Sequence, residues 1–214
     1  MVSTDEVYGP GEAGDGVFDE DQPFRPVSPY AASKAAADLL CSAYVSTYSA
    51  PVTIVRGTNA FGPRQIERVV PTFAISALEG RPVPVYAHGK ERREFLYVTD
   101  WVAAALTVLD HGESGGIYNI GDGHELENIE LARRICELAG APASQISFVP
   151  DRPGHDFRYG LGAHRLHALG WMPQVSFDEG LVRTVDWYRD HLDWLRAAHD
   201  VPIVTEPRAS GAGR

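Results

Sequence analysis

Residues 51–80 read PVTIVRGTNAFGPRQIERVVPTFAISALEG, and the fold is decided there. Pro51 to Arg56 is a short β-branched run, the pattern of a buried strand. Gly57 to Arg64 is the loop at its carboxyl end, and Val69 to Leu78 is a helix stopped at Gly80. The same alternation continues upstream. Met1 to Thr4 reads as the end of a strand, and a loop rich in Gly, Pro and acids runs from Asp5 to Ser28. Ser28 is a natural N-cap, and Pro29 fits a first helical turn, where its missing N–H costs nothing. Ala31, Ala32, Ala35, Ala36, Leu39, Leu40, Ala43 and Tyr44 follow at helical spacing, which predicts a face of small residues for close packing.

Downstream, Val83–Tyr86 and Glu94–Val98 are short strands, and Thr99 or Asp100 caps a helix over Trp101–Leu109. Gly116–Ile120 is a strand, Ile129–Leu138 a helix ending at Gly140, and Ile146–Val149 a strand. Helices are expected over Leu161–Leu169 and Phe177–Leu195, with a flexible tail over 200–214. Strands alternating with helices predict an α/β layered fold. The chain contains no internal repeat.

The 214 residues carry 19 Lys+Arg against 29 Asp+Glu, a formal net charge of −10. With 44% apolar and 22% charged residues there is material for one large domain or two small ones, and wholesale disorder is excluded. The acidic balance argues against nucleic acid or an anionic membrane as partner, because the field of the whole molecule repels phosphate. It leaves room for one locally basic pocket. Cys41 and Cys136, with no CxxC, exclude a disulfide framework and a thiolate zinc site. His164 and His167 lack a third ligand, so no metal site is expected. No run approaches the roughly 20 apolar residues that span a bilayer. The first residues hold two acids and no basic-then-apolar leader, so a cytoplasmic protein is expected.

Gly9-Pro10-Gly11-Glu12-Ala13-Gly14 matches the G-x-G-x-x-G pattern of dinucleotide loops literally. That pattern works where backbone N–H groups at a helix N-terminus face a pyrophosphate. Here Asp15, Asp19, Glu20 and Asp21 follow, with Pro23 and Pro26, and no periodic helix. An acidic loop is the better reading. Gly121-Asp122-Gly123 lacks the third glycine.

Two clusters carry chemistry. Tyr30 and Lys34 stand at i and i+4, on one helical face. A fixed ammonium favours the phenolate of a nearby tyrosine and makes proton abstraction from a sugar hydroxyl feasible. Thr4, Asp5 and Glu6 put a hydroxyl and two adjacent carboxylates at a strand end, where α/β sites concentrate. Neighbouring side chains on an extended segment point apart, so each acid reaches a different atom. Different surroundings can then keep one protonated and the other ionised.

STDEVYG (3–9), SPYAASK (28–34), RGTNAFGPRQ (56–65), GKERREFLYVTDW (89–101), YNIGDG (118–123) and DRPGHDFRY (151–159) follow in order. In these motifs the chain resembles the carboxyl-terminal part of the dTDP-glucose 4,6-dehydratases. These are extended short-chain dehydrogenase/reductases of the NAD-dependent epimerase/dehydratase family. The resemblance runs from Met1 to about Leu195, and the Asp-Glu pair is its specific element, since related epimerases and decarboxylases usually carry other residues there. It implies a partial Rossmann-type doubly wound parallel sheet plus a small α/β substrate-binding domain. It also implies a lyase with NAD recycled within the cycle and a nucleotide-diphosphate sugar as substrate, with thymidine and uridine both open as the base. Residues 1–64 would belong to the NAD-binding domain, to which the chain returns around 94–121. Residues 65–93 and 122–199 would hold the nucleotide sugar.

On the same resemblance, Tyr30 matches the base at the C4 hydroxyl, Lys34 its partner and cofactor contact, and Thr4 the hydroxyl that orients it. Glu6 matches the base at C5, and Asp5 the acid that protonates the departing C6 hydroxyl. Asn59, Pro84, Tyr86, Arg93, Asn119, Arg152 and His155 match substrate contacts, the guanidiniums suiting phosphate oxygens. Family members carry the glycine-rich NAD loop before the STDEVYG strand, and they pair through two helices per subunit, one of which matches Pro29–Tyr48. The expectation is therefore a chain with impaired or no activity alone, poorly soluble or reliant on a partner. A silent nucleotide-sugar-binding fragment and a related epimerase or decarboxylase stand as alternatives.

Overall fold

The computed structural model describes residues 1–11, 16–66, 68–151, 158 and 160–199, with side chains to residue 196. In chain order the elements are β1 (Val2–Thr4), α1 (Pro29–Tyr48), β2 (Ile54–Gly57), β3 (Asn59–Phe61), α2 (Val69–Leu78), β4 (Val83–Tyr86), β5 (Arg92–Tyr97) and α3 (Val98–His111). They continue with β6 (Ile117–Ile120), β7 (Glu125–Glu127), α4 (Asn128–Ala139), β8 (Ile146–Val149), α5 (His164–Ala168), α6 (Phe177–Asp190) and α7 (Leu192–His199).

The fold is α/β with parallel sheets, as the alternation predicted. One sheet has the order β1-β2-β6, all parallel, with Thr4 opposite Gly57 and Gly57 opposite Ile120. A second has the order β3-β5-β7, in which β3 and β5 are parallel and β7 turns back antiparallel on β5. A parallel pair, β4 and β8, forms the third. The larger core sets Phe61, Phe95 and Tyr97 against Phe73 and Ala74 of α2, Leu131 and Ile135 of α4, and Leu181, Val185 and Tyr188 of α6. A second core packs Val55, Tyr118 and Ile120 against Ala104 and Val108 of α3 and Leu166 of α5.

Local chemistry explains the helix ends. The Ser28 hydroxyl accepts from the Ala31 N–H at 3.0 Å and Pro29 opens α1, as expected. Gly140 ends α4 with φ +73, a conformation that costs glycine little.

Several boundaries differ from the sequence reading. The helix α3 begins at Val98 with no side-chain cap, and Asp100 lies inside its first turn. There the carboxylate accepts from the Gln174 and Val175 N–H groups at 2.9 and 2.8 Å, a long-range tie that competes with capping. The helix expected over 161–169 shrinks to α5, and the one over 177–195 breaks at His191. Strands β3 and β7 fall where loops were expected, too short to show a period. The packed face of α1 is Ala31, Ala35 and Asp38, whereas Leu39, Leu40 and Tyr44 are exposed. β1 is the rim of its sheet and Val2 is half exposed. The tail over 200–214 lies outside the described residues. Among the described residues no helix is long and apolar enough to cross a membrane.

Candidate active site

The segment after β1 is not extended. Asp5–Tyr8 forms one 3₁₀ turn, begun at Thr4, whose Oγ1 accepts from the Glu6 N–H at 3.4 Å. At three residues per turn, neighbours diverge by about a third of a revolution. The two acids are therefore separated by winding and not by strand alternation. Asp5 is buried, with 5% exposure, while Glu6 is half-buried. The Thr4 hydroxyl donates to Asp5 Oδ1 at 3.1 Å, so its bonds serve the acids, where orientation of Tyr30 was expected. Asp5 Oδ2 is buried with no hydrogen-bond partner among the described residues. Burial pushes the Asp5 carboxyl up to about 7, against the Thr4 bond that lowers it; the charges of Glu6 and Glu94 add to the rise and Arg93 opposes it.

A buried polar network holds this turn. The Tyr8 hydroxyl donates to Asn119 Oδ1 at 2.7 Å and accepts from Arg56 Nη1 at 3.0 Å. Arg56 Nε donates to Asp38 Oδ2 of α1 at 2.9 Å, and both side chains are almost wholly buried. Asn119, expected at the substrate, is 0% exposed. Its amide nitrogen donates to the Phe18 and Gly162 carbonyls, and its backbone N–H donates to Glu20. Every polar atom of that side chain is used inside the protein, so its part is to brace the turn. Burial lifts the Tyr8 phenol to about 12, which keeps it a donor.

The helix α1 packs on β1 and on the 3₁₀ turn, which brings its first residues to the acids. Tyr30 is 48% exposed. Lys34, one turn on, donates from Nζ to the Val2 carbonyl of the rim strand at 3.1 Å.

The third contributor is β5. Glu94 is fully buried, and its carboxylate takes three backbone N–H groups: Asp122 at 2.6 Å and Gly123 at 2.8 Å on Oε1, and Leu161 at 3.0 Å on Oε2. A Cβ on Gly121 would lie 2.2 Å from Oε1, so glycine is required for this close approach. The N–H groups of the Gly121–Gly123 loop thus serve a side chain of the protein. Burial also pushes Glu94 up to about 7, against the bonds from Leu161 and Gly123. The Glu94 carbonyl accepts from Thr58 Oγ1 at 2.8 Å and Asn59 Nδ2 at 3.2 Å, which places Asn59 beside this cluster. Arg93 donates to the Arg92 carbonyl at 2.8 Å and is close enough to Asp5 to favour its ionised form.

Other expected residues stand elsewhere. Pro84 and Tyr86 lie on β4 in the separate two-stranded sheet, with Tyr86 exposed. Arg152 and His155 lie outside the described residues. Of the G-x-G-x-x-G stretch, Gly9 and Gly11 are described; the Gly11 N–H is taken by the Arg158 carbonyl at 2.9 Å. Glu94, Tyr8, Arg56 and Arg158 were not singled out from sequence. An acid beside the apolar run Phe95–Tyr97 is the one signal that points to Glu94.

A parallel α/β sheet with acids at a strand end and a Tyr-Lys pair on the helix beside it defines a class of sugar-nucleotide enzymes. The chain belongs to the NAD dependent epimerase/dehydratase family, whose model matches residues 1–121. It is 46% identical over 213 residues to a dTDP-glucose 4,6-dehydratase of Streptomyces niveus, a match covering 99% of this chain and 61% of the relative. Among solved structures it is similar to DesIV, a dTDP-glucose 4,6-dehydratase of Streptomyces venezuelae with NAD and TYD bound. That likeness has a TM-score of 0.88 and 43% identity, over 92% of this chain and 61% of the other. It is also similar to the dTDP-glucose 4,6-dehydratase of Bacillus anthracis in complex with NAD, with a TM-score of 0.87 and 39% identity, over 92% of this chain and 63% of that one. The chain thus spans about three fifths of the length of the relatives it matches.

Proposed function

We propose that this chain carries the reacting end of a nucleotide-sugar 4,6-dehydratase, with dTDP-glucose as substrate and a 4-keto-6-deoxy sugar nucleotide as product. The observation that carries the reading is the split acid pair. Asp5 is buried, protonated near neutrality and has one carboxylate oxygen without a partner; Glu6 faces outward from the same turn. An elimination needs such a difference, one acid to give a proton and one base to take one.

The residues present fit the nicotinamide end of NAD: an exposed phenol and an ammonium on one helix face, beside the rim strand of a parallel sheet. When bound, NAD would supply the hydride acceptor at C4 of the sugar and the hydride donor at C6. Tyr30 takes the proton of the C4 hydroxyl, with Lys34 stabilising the phenolate. The C4 ketone acidifies C5, and Glu6 removes the C5 proton. Asp5 gives its proton to the C6 hydroxyl, which leaves as water. Glu6 then returns a proton to C5 as C6 is reduced. Elimination without the carbonyl would lack an acidified C–H, so oxidation comes first.

Residues 1–64 and 94–121 would serve this chemistry, and 65–93 with 122–199 would hold the nucleotide diphosphate. Asn59, Pro84, Tyr86, Arg93, Arg152 and His155 would be its contacts.

The test is product analysis of the chain with dTDP-glucose and NAD, in two arms. One uses the chain alone; the other adds, as a second polypeptide, the segment of the S. niveus relative that precedes the matched region. A 4-keto-6-deoxy product in either arm supports the reading. An epimerised or decarboxylated product, or nucleotide-sugar binding without turnover in both arms, overturns it.

A further inference from the structure

We propose that Glu94 is a positioning residue for the acid pair: an ionised carboxylate, held by three backbone N–H groups, whose charge keeps Asp5 in its protonated form. The inference rests on the reading of Asp5 as the acid and adds how that state is maintained.

The argument begins with donors. Three N–H groups converge on the two oxygens of Glu94. A protonated carboxyl gives up one of its acceptor oxygens to carry hydrogen, so three donors favour the ionised form. The Gly121–Gly123 loop, with Gly121 lacking a Cβ that would collide with Oε1, is shaped to deliver two of them. Asp5 has no comparable set: Oδ1 meets the Thr4 hydroxyl and Oδ2 meets nothing among the described residues. The main chain holds the two acids close. Thr4 pairs with Gly57, and the next residue, Thr58, binds the Glu94 carbonyl through its hydroxyl.

The charges facing Asp5 are Glu6 on its own turn and Arg93 and Glu94 on β5; Asp122 faces Glu94. Burial raises both Asp5 and Glu94 into the same range, to about 7 in each case, so the two compete for one proton. The N–H donors decide the competition, and the proton stays on Asp5.

The experiment is a carboxyl ¹³C NMR titration of the whole chain labelled at Asp and Glu, with Asp5→Asn and Glu94→Gln assigning the two signals. In the wild-type chain Glu94 is expected to ionise at lower pH than Asp5. In Glu94→Gln the Asp5 midpoint is expected to fall by about one pH unit, while the amide spectrum remains that of the folded chain. Glu94→Asp retains the charge and is expected to leave the Asp5 midpoint high. Asp5 ionising first in the wild-type chain, or an unmoved midpoint in folded Glu94→Gln, overturns the proposal. Should Glu94→Gln fail to fold, the wild-type order and the Glu94→Asp midpoint decide it. No turnover enters this titration. Coupled titration without a 4-keto product would leave the role of Glu94 standing and sink the reaction, and the reverse result would do the opposite.

Discussion

The Tyr8 hydroxyl donates to Asn119 Oδ1 at 2.7 Å, joining the turn after β1 to β6, the far strand of the same sheet. With Arg56 and Asp38 completing the chain of contacts, the acid-bearing turn is tied to two strands and to α1. Tyr8→Phe strands a buried acceptor on Asn119 and a guanidinium N–H of Arg56, and is expected to cost about 1–3 kcal/mol. Arg56→Met leaves the Asp38 charge buried alone and is expected to cost about 3–5 kcal/mol. Urea unfolding at pH 7 measures both, and a loss for Tyr8→Phe equal to or above that for Arg56→Met would contradict the ranking.

Stability should fall between about pH 4 and pH 7. Asp5 has a folded pKa of about 7 against an ordinary 3.8, so the folded chain binds the proton more tightly than the unfolded one. Stability from this group is present below the unfolded value and is lost as pH rises through the folded value, on the order of 1.4 kcal/mol for each pH unit between them. Glu94 acts in the same direction. The melting temperature is therefore expected to be higher at pH 5 than at pH 8, with Asp5→Asn flattening the difference. A melt that rises from pH 5 to pH 8 would oppose the assignment.

Gly121→Ala drives a methyl to 2.2 Å from Glu94 Oε1, so the loop must shift and the Asp122 and Gly123 bonds loosen. A destabilisation of about 2–3 kcal/mol is expected. Faster amide exchange at Asp122 and Gly123 is the second readout.

Tyr30→Phe removes a hydroxyl from a half-exposed ring, so its unfolding free energy should move by no more than about 0.5 kcal/mol. Turnover of dTDP-glucose, in whichever arm supports it, should fall by about 10²–10⁴-fold, because the C4 hydroxyl then lacks its base. Equal turnover in the variant would remove Tyr30 from the mechanism.

The α/β class and most element positions were legible because Ser28-Pro29, Gly80 and Gly140 punctuate the chain with local chemistry. β3 and β7 were not, since three residues carry no period. The acids, Tyr30 and Lys34 were legible as residue types in a pattern. Their surroundings were not, because burial of Asp5 and the bond between Tyr8 and Asn119, 111 positions apart, are products of tertiary packing. Asn119 was legible as a motif residue but not as a brace, and Asp100 looked like a cap because its partners lie beyond residue 170.

The tight turn at Asp5–Tyr8 has a consequence for heredity at this site. Since each residue swings to a new bearing, the inward and outward posts are dictated by the main chain, whatever acid fills them. Mutation can trade one methylene between positions 5 and 6 and alter reach, yet the inner post remains the proton store. The division of labour would drift only if the coil itself were unwound.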